Sequence, residues 1–279
     1  MPIIEAHGLT YSYPDSPVPS IADVNFTAEQ GEFILITGPS GCGKTTFCRC
    51  LNGLIPNSYG GTFQGKVIVE GSPTTKRPVY ELAQKVGLVF QNPENELFCT
   101  SVEREVAFGL ENLAMPRDEL RPRVDEALSL VGISHLRDKS PDELSGGEQQ
   151  KVAVAALLAM KPRVLVLDEP TANLDPMSAA SVIDILTRIN RESGVTVILV
   201  EHRLEMAAPH ANRCVIFSGG KIVQDAPPSE VLYSDEMESL GIGIPKVVQV
   251  AKRLLREGRL ARRPLSSKEL SDAVRGCCP

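Results

Sequence analysis

The chain has 279 residues, 42% hydrophobic and 23% charged, proportions that exclude a wholly disordered or collagen-like protein. Its 29 Lys and Arg against 35 Asp and Glu give a net charge of −6, and it has no Trp and only 5% aromatic residues. It therefore lacks the positive field and stacking surfaces of a general nucleic-acid binder, and no nucleic acid is expected as a partner.

In chain order, the alternation in Ile3-Ile4-Glu5-Ala6 and Val24-Asn25-Phe26-Thr27 predicts a strand pair joined by the Pro-rich turn Pro14 to Pro19. Phe33 to Thr37 reads as a short buried strand. A glycine-rich turn follows, then a helix over Cys42 to Leu54 that stops near Pro56. Val67 to Glu70 and Val86 to Phe90 read as further strands. From 92 to 161 the pattern turns helical, with helices expected over Val102 to Leu113, Arg117 to Val131 and Gly146 to Met160. Val164 to Leu167 and Val195 to Val200 are continuous apolar runs, the mark of parallel strands covered on both faces. A helix over Met177 to Glu192 joins them into a βαβ unit. The predicted fold class is α/β: an N-terminal antiparallel β region and a parallel core, interrupted by a helical insert at about 92–161.

From 241 onwards a small helical extension is expected. Lys246 to Arg256 carries Val247, Val250, Ala251, Leu254 and Leu255 at helical spacing, and Ser266 with Glu269 forms a capping-box pattern ahead of Leu270, Ala273 and Val274. Its basic residues (Lys246, Lys252, Arg253, Arg256, Arg259, Arg262 and Arg263) read as a solvated helix face, with a partner-docking surface as the alternative. The longest apolar run, Val152 to Met160, is nine residues, against the roughly 20 of a membrane span. No leader pattern opens the sequence, so no signal peptide is expected. The seven cysteines (Cys42, Cys48, Cys50, Cys99, Cys214, Cys277 and Cys278) are odd in number and lack a CxxC spacing. They read as reduced thiols of a cytosolic protein.

Gly38-Pro39-Ser40-Gly41-Cys42-Gly43-Lys44-Thr45 fits the P-loop pattern GxxxxGK[ST] between a strand and a helix. Glycines let backbone N–H groups turn around an anion, and the helix N-terminus adds partial positive charge. Lys44 is placed to reach the β- and γ-phosphates, and the Thr45 hydroxyl to ligate Mg²⁺. The strand Val164 to Leu167 ends in Asp168 and Glu169. Beside a P-loop, Asp168 becomes a holder of Mg²⁺ and Glu169 the group that orients or deprotonates an attacking water. These residues alone predict a Mg-dependent nucleoside triphosphatase.

Leu144-Ser145-Gly146-Gly147-Glu148 opens a long helix. Ser145 and Glu148 form a capping box, but capping does not account for two glycines in the first turn, which cost about 1 kcal/mol each relative to Ala. Bare N–H groups there make a second anion-binding helix end. This stretch resembles the signature motif of ABC-type ATPases and lies 23 residues ahead of Asp168, as that family places it. Other positions agree. Gln91 resembles the Q-loop glutamine, Asn173-Leu174-Asp175 the D-loop, His202 the switch histidine and Tyr13 the adenine-stacking A-loop aromatic, with Tyr11 as a rival. The resemblance spans residues 1–240 as one ABC ATPase domain, a P-loop NTPase with a RecA-like core. It implies ATP and Mg²⁺ as cofactors, with Glu169, His202, Gln91 and Lys44 catalytic and Thr45, Gln91 and Asp168 on the metal. Nucleotide binding falls to Tyr13, the P-loop residues 38–46 including Thr46, and Ser145, Gly146, Gly147 and Asp175. It also implies head-to-tail pairing, so that Ser145, Gly146 and Gly147 of one copy clamp ATP held by the P-loop of the other.

Three kinds of single-chain ABC protein without a membrane span come into question: a transporter's separate ATPase, a repair-type ATPase and a translation-factor type. One cassette and no sustained heptads favour the transporter. Gln91-Asn-Pro-Glu-Asn-Glu-Leu-Phe98 and Ser101-Val-Glu-Arg-Glu-Val-Ala-Phe-Gly109 resemble the energy-coupling-factor ATPases of cobalt, nickel and vitamin importers, as does the 241–279 tail, which in that family keeps two ATPases together. The resemblance implies three partners: a transmembrane scaffold, a second ATPase and a substrate-binding membrane component. It implies a peripheral location at the cytoplasmic face of the membrane, with Leu97 and Phe98 as exposed apolar residues contacting the scaffold. A soluble non-transport ABC ATPase acting on nucleic acid or ribosomes is the alternative. Glu201-His202-Arg203 departs from the commoner Thr-His-Asp form, and Asn173 from the commoner Ser or Gly.

Overall fold

The runs of alternating and continuous apolar residues become two sheets of different character. A computed structural model of the chain describes residues 2–92 and 96–275. Among these, β1 (Ile4–Ser12), β2 (Ile21–Ala28), β4 (Thr62–Val69) and β5 (Ser72–Pro73) form an antiparallel sheet in the order β2-β1-β4-β5. A second sheet holds β3 (Phe33–Thr37), β6 (Val86–Val89), β7 (Val164–Asp168), β8 (Thr196–Val200), β9 (Arg213–Ser218) and β10 (Lys221–Ala226). Its order is β10-β9-β3-β8-β7-β6, parallel except for the terminal hairpin β9-β10. The helices of eight residues or more are α1 (Lys44–Leu51), α2 (Val102–Asn112), α3 (Arg117–Val131), α4 (Gly146–Ala159), α5 (Pro176–Ser193), α6 (Lys246–Arg256) and α7 (Ser267–Arg275).

The continuous apolar strands are covered on both faces, as parallel strands must be. Successive residues alternate between two cores. Phe33, Leu35, Leu165, Leu167, Val197 and Leu199 face the core shared with α2, α3, α4 and α5. Ile34, Ile36, Val164, Val166, Ile198 and Val200 face the core shared with α1 and the antiparallel sheet. Helices α2 and α3 both pack on α4, whose Val152, Ala153, Val154, Ala155, Leu158 and Ala159 are all buried. A helix apolar on every side has to be an internal one.

Several bounds shift from the sequence expectation. Helix α1 is shorter than Cys42 to Leu54, because residues through Gly43 belong to the phosphate-loop turn. Strand β4 begins at Thr62, before the apolar Val67; its first half is largely exposed and is held by pairing with β1, Tyr11 opposite Phe63 and Ser12 opposite Thr62. The β9–β10 hairpin is not among the elements expected above, although Gly219-Gly220 between two apolar runs carries its signal. Helix α6 spans Lys246 to Arg256 as expected and buries Val248 and Ala251. Helix α7 starts at the predicted capping box: Ser266 Oγ accepts from Glu269 N at 3.2 Å, and Glu269 Oε2 accepts from Leu265 N at 2.9 Å. Cys42, Cys48, Cys50, Cys99 and Cys214 are free thiols; burial pushes Cys214 up to about 12. Cys277 and Cys278 lie outside the described residues.

Candidate active site

Strands β3, β8, β7 and β6 stand side by side and run in the same direction. Their carboxyl ends therefore open on one edge, where open α/β sheets bind ligands. Strand β3 delivers the P-loop, β8 delivers Glu201 and His202, β7 ends in Asp168 followed by Glu169, and Gln91 lies two residues beyond β6. The sequence assigned each residue to a strand end. The strand order sets them next to each other.

In the P-loop, Gly38 (φ 150°) passes so close to the Phe217 carbonyl that no side chain fits, and at Gly43 (φ 105°) a Cβ would lie 2.5 Å from Ser20 O. Gly43 is the N-cap of α1 and supplies no side-chain cap, so the first N–H groups of the helix are left for an anion. Ser40 and Gly41 are exposed at the crown of the loop. Lys44 is 5% exposed. Its ammonium folds back on the loop, donating to Gly38 O at 2.9 Å and Pro39 O at 3.0 Å, with Cys42 Sγ at 3.9 Å. Burial raises the Cys42 thiol against the opposing pull of Lys44.

Asp168 is buried, and burial raises its carboxyl above the usual range while a hydrogen bond with the Thr45 side chain opposes the shift. Its Oδ1 has no hydrogen-bond partner. An orphaned buried carboxylate oxygen beside a hydroxyl is a donor pair that suits a hard divalent cation such as Mg²⁺. Among the described residues no group of three or more His, Cys, Asp or Glu could hold a metal by itself. That fits an ion whose remaining ligands come from phosphates and water.

Glu169 has a left-handed backbone (φ 53°), an uncommon conformation for a residue with a side chain and one that clusters at functional sites. Its carboxylate is held from both neighbouring strands. Oε1 lies 2.9 Å from His202 Nε2, and Oε2 accepts from Gln91 Nε2 at 3.2 Å. The carboxylate stays partly accessible, at 21% exposure against 41% for the histidine side chain, so a water can reach it.

Tyr11 is fully buried and donates to Gly60 O, so it belongs to the core and is not free to stack on a base. Tyr13 is half-buried. Its hydroxyl lies 3.3 Å from Thr46 Oγ1 and accepts from Arg49 Nη1 at 3.1 Å. Its ring meets those of Tyr11 and Tyr59 edge-on, with centroids 4.9 and 6.2 Å away.

Ser145 caps α4 through the predicted box: its N and Oγ donate to Glu148 Oε2 at 2.8 and 2.7 Å, and Glu148 N donates back to Oγ at 3.4 Å. Those bonds pull the Glu148 carboxyl below its usual range. Gly147 has a packing reason the sequence did not reveal, since a Cβ there would lie 2.7 Å from the Ser178 side chain. Ser145 and Gly146 are exposed. Among the described residues no hydrogen bond joins 145–147 to the P-loop. Asp175 caps α5, its Oδ1 accepting from Met177 N at 2.9 Å and Ser178 N at 3.1 Å, and hydrogen bonding with the Ser178 side chain, together with these backbone bonds, lowers its carboxyl. Leu97 is half-buried against the helical core, whereas Phe98 is 66% exposed and packs edge-on against Phe108 at 4.8 Å. The expected apolar pair therefore reduces to Phe98 with Phe108. Pro93, Glu94 and Asn95 lie outside the described residues.

A family model described as "ABC transporter" matches residues 21–172, more than half of the chain. The chain belongs to the ABC transporter ATP-binding family. It is an ATPase subunit whose hydrolysis of ATP powers a transporter, built on the P-loop NTPase fold of that family. A protein of Pyrococcus abyssi provisionally named an ABC transporter ATP-binding protein is 46% identical over 97% of both chains. YkoD of Bacillus subtilis, provisionally named an HMP/thiamine import ATP-binding protein, is 37% identical over 90% of this chain, which spans 47% of YkoD. Among solved structures, cbiO1 of Clostridium perfringens, part of the ABC transporter complex cbiONQ, superposes with a TM-score of 0.77 at 33% identity, covering 92% of this chain and 97% of cbiO1. The cassette MJ0796, solved as a dimer in a post-hydrolysis state with ADP and Pi, gives a TM-score of 0.70 at 28% identity over 81% of this chain and 98% of its own. Among the described residues no helix of this ABC subunit is long and apolar enough to cross a membrane.

Proposed function

We propose that this chain is the ATP-hydrolysing subunit of an energy-coupling-factor importer of a metal ion or a vitamin, working as a head-to-tail pair at the cytoplasmic face of a membrane. The observation that carries this reading is the likeness to cbiO1, which extends over 97% of that protein and 92% of this chain and so reaches past the cassette itself. The relationship to YkoD supports a vitamin among the candidate solutes.

The chemistry follows from the strand-end geometry. Backbone N–H groups of residues 40–46 at the α1 terminus receive the phosphates, and Lys44 exchanges two carbonyl acceptors for phosphate oxygens, a stronger charge-assisted contact. Thr45, Asp168 and Gln91 would hold Mg²⁺, which would supply neutralisation of the phosphoryl charge. Glu169, its carboxylate aimed by Gln91 and His202 on either side, takes up the proton of a water that attacks the γ-phosphorus as the bond from that phosphorus to the β,γ-bridging oxygen breaks and ADP leaves. His202 also faces the γ-phosphate, and Tyr13 stacks on the adenine. Ser145, Gly146, Gly147 and Asp175 of the second copy close the site, and the 241–279 extension keeps the two copies together. The partners are a transmembrane scaffold seated on Phe98 and Phe108, a second ATPase and a substrate-binding membrane protein.

The test is isolation of the tagged chain from detergent-solubilised membranes, with mass analysis of what comes with it. A scaffold and a small solute-binding membrane protein are expected. Recovery with ribosomes or nucleic acid, or with membrane subunits of another importer class, overturns the assignment.

A further inference from the structure

Asn173, Glu201 and Arg203, the residues at which this chain departs from the commoner family form, all converge on the short segment 171–175 between Glu169 and α5. Glu201 is 2% exposed, and both oxygens of its carboxylate are used. Oε1 accepts from His202 N at 2.8 Å and Arg203 N at 3.0 Å, while Oε2 accepts from the hydroxyl of Thr171, which is itself fully buried. Glu201 N donates to Ile36 O at 3.0 Å, tying the turn to the strand that leads into the P-loop. A buried carboxylate persists where such donors surround it. One side chain thus sets the backbone that aims His202 and grips the start of the 171–175 segment. A threonine at position 201 could not span both groups.

Arg203 completes the connection. Its guanidinium donates to Leu174 O at 3.0 Å through Nη1 and to Ala172 O at 3.4 Å through Nη2, a two-pronged grip suited to its planar fork. An aspartate there is too short to reach these carbonyls and carries no donor for them. On the other flank, Asn173 Nδ2 donates to Asn92 Oδ1 at 2.7 Å, next to Gln91.

We infer that these contacts make the D-loop, the turn of residues 201–203 and Asn92 beside Gln91 one connected unit, in which Glu201 and Arg203 are positioning residues for hydrolysis. A displacement of the D-loop by the second subunit moves His202 and, through it, the Glu169 carboxylate. This rests on the proposed roles of Glu169 and His202 in a paired site.

The experiment measures ATP turnover of the full chain with Mg²⁺ for the wild type, Arg203→Met, Arg203→Lys, Asp175→Asn and the Arg203→Met/Asp175→Asn double variant. Asparagine retains the α5 cap, so Asp175→Asn alters the D-loop without removing its helix start. Arg203→Met is expected to lower kcat about tenfold with the KM for ATP changed by less than about twofold, a loss of the size that misplaced reacting groups cause. Arg203→Lys, which can reach one carbonyl, recovers part of it. In the Asp175→Asn background the Arg203→Met loss shrinks to about twofold or less, because coupled residues are not additive. Glu201→Gln, which keeps the volume but not the full set of acceptors, gives the same lowered kcat with unchanged KM. Turnover of Arg203→Met within about twofold of wild type, a rise in KM matching the fall in kcat, or the same full loss in the Asp175→Asn background each overturns the inference. If Glu169→Gln keeps full hydrolysis, the underlying site reading fails instead, which separates the two failures.

Discussion

His202 Nε2 and Glu169 Oε1 stand 2.9 Å apart although the residues are 33 positions apart in the sequence. The contact follows from sheet register. Strands β7 and β8 are parallel neighbours with Asp168 opposite Val200, and Glu169 N donates to Val200 O at 3.0 Å. The last ladder rung thus fixes where the carboxylate begins, and Gln91 from β6 closes its other side.

Glu169→Gln tests the carboxylate directly. The amide keeps the size and a hydrogen-bonding end but cannot accept the proton of water. ATP binding is expected to persist while phosphate release falls by about 10²-fold or more, the range for removing a general base. Size-exclusion chromatography with ATP is expected to show an accumulated dimer. Steady-state hydrolysis at the wild-type rate would remove Glu169 from this role.

Lys44→Ala addresses binding. The ammonium is buried and held by two loop carbonyls, so its removal takes away a charge already delivered to the phosphate position. Losing one charge-assisted contact of about 1.5–3 kcal/mol corresponds to roughly 10- to 100-fold weaker nucleotide affinity. Isothermal titration with ATP reads this, and an unchanged Kd removes Lys44 from the site.

The chemistry of single loops was legible in the sequence, because the P-loop, the Asp168-Glu169 strand end and the Ser145 box are each built from consecutive residues. The Gln91–Glu169–His202 line was legible only as three strand ends. Their adjacency depends on strand order, which periodicity does not encode. Glu201 registered as a departure from a pattern, since its partner Thr171 lies 30 residues away and nothing local marks a buried carboxylate. The apolar pair Leu97-Phe98 looks alike in sequence, yet Leu97 packs against the core and only Phe98 faces outward. Gly147 illustrates the converse: a glycine read for anion binding also has a packing neighbour in Ser178.

Phe98→Asp places a charge on the exposed apolar pair Phe98–Phe108. The side chain is largely outside the core, so folding and soluble ATP binding are expected to stay as in the wild type. Co-purification with the membrane scaffold is expected to be lost. Retained scaffold in the pull-down would put the contact elsewhere.

Glu96 gives a pH prediction. Burial pushes its carboxyl up to about 7 from 4.5, although Phe90 N donates to it at 2.9 Å. Between these two values the folded chain holds a proton that the unfolded chain has released, so this group's contribution to stability falls as pH rises from 4.5 to 7. Glu96→Gln keeps an acceptor for Phe90 N and never ionises. The difference in thermal midpoint between variant and wild type is expected to be near zero at pH 4.5 and to grow in the variant's favour up to about pH 7, then level off. A flat difference across that range refutes the raised value.

Ser145 separates structure from function most cleanly, because the proposed site gives it two jobs. As N-cap of α4 it is worth about 1 kcal/mol against alanine, while asparagine and aspartate cap about as well as serine. Ser145→Asn and Ser145→Asp should therefore melt alike, apart from repulsion between aspartate and Glu148 at an exposed position. Only the second adds negative charge at an exposed helix end. If that end meets the phosphates of ATP in the facing copy, repulsion across a few ångströms makes Ser145→Asp slower in turnover than Ser145→Asn by about tenfold or more. Equal turnover in the two variants would mean that no phosphate approaches α4, and the head-to-tail site would have to be abandoned.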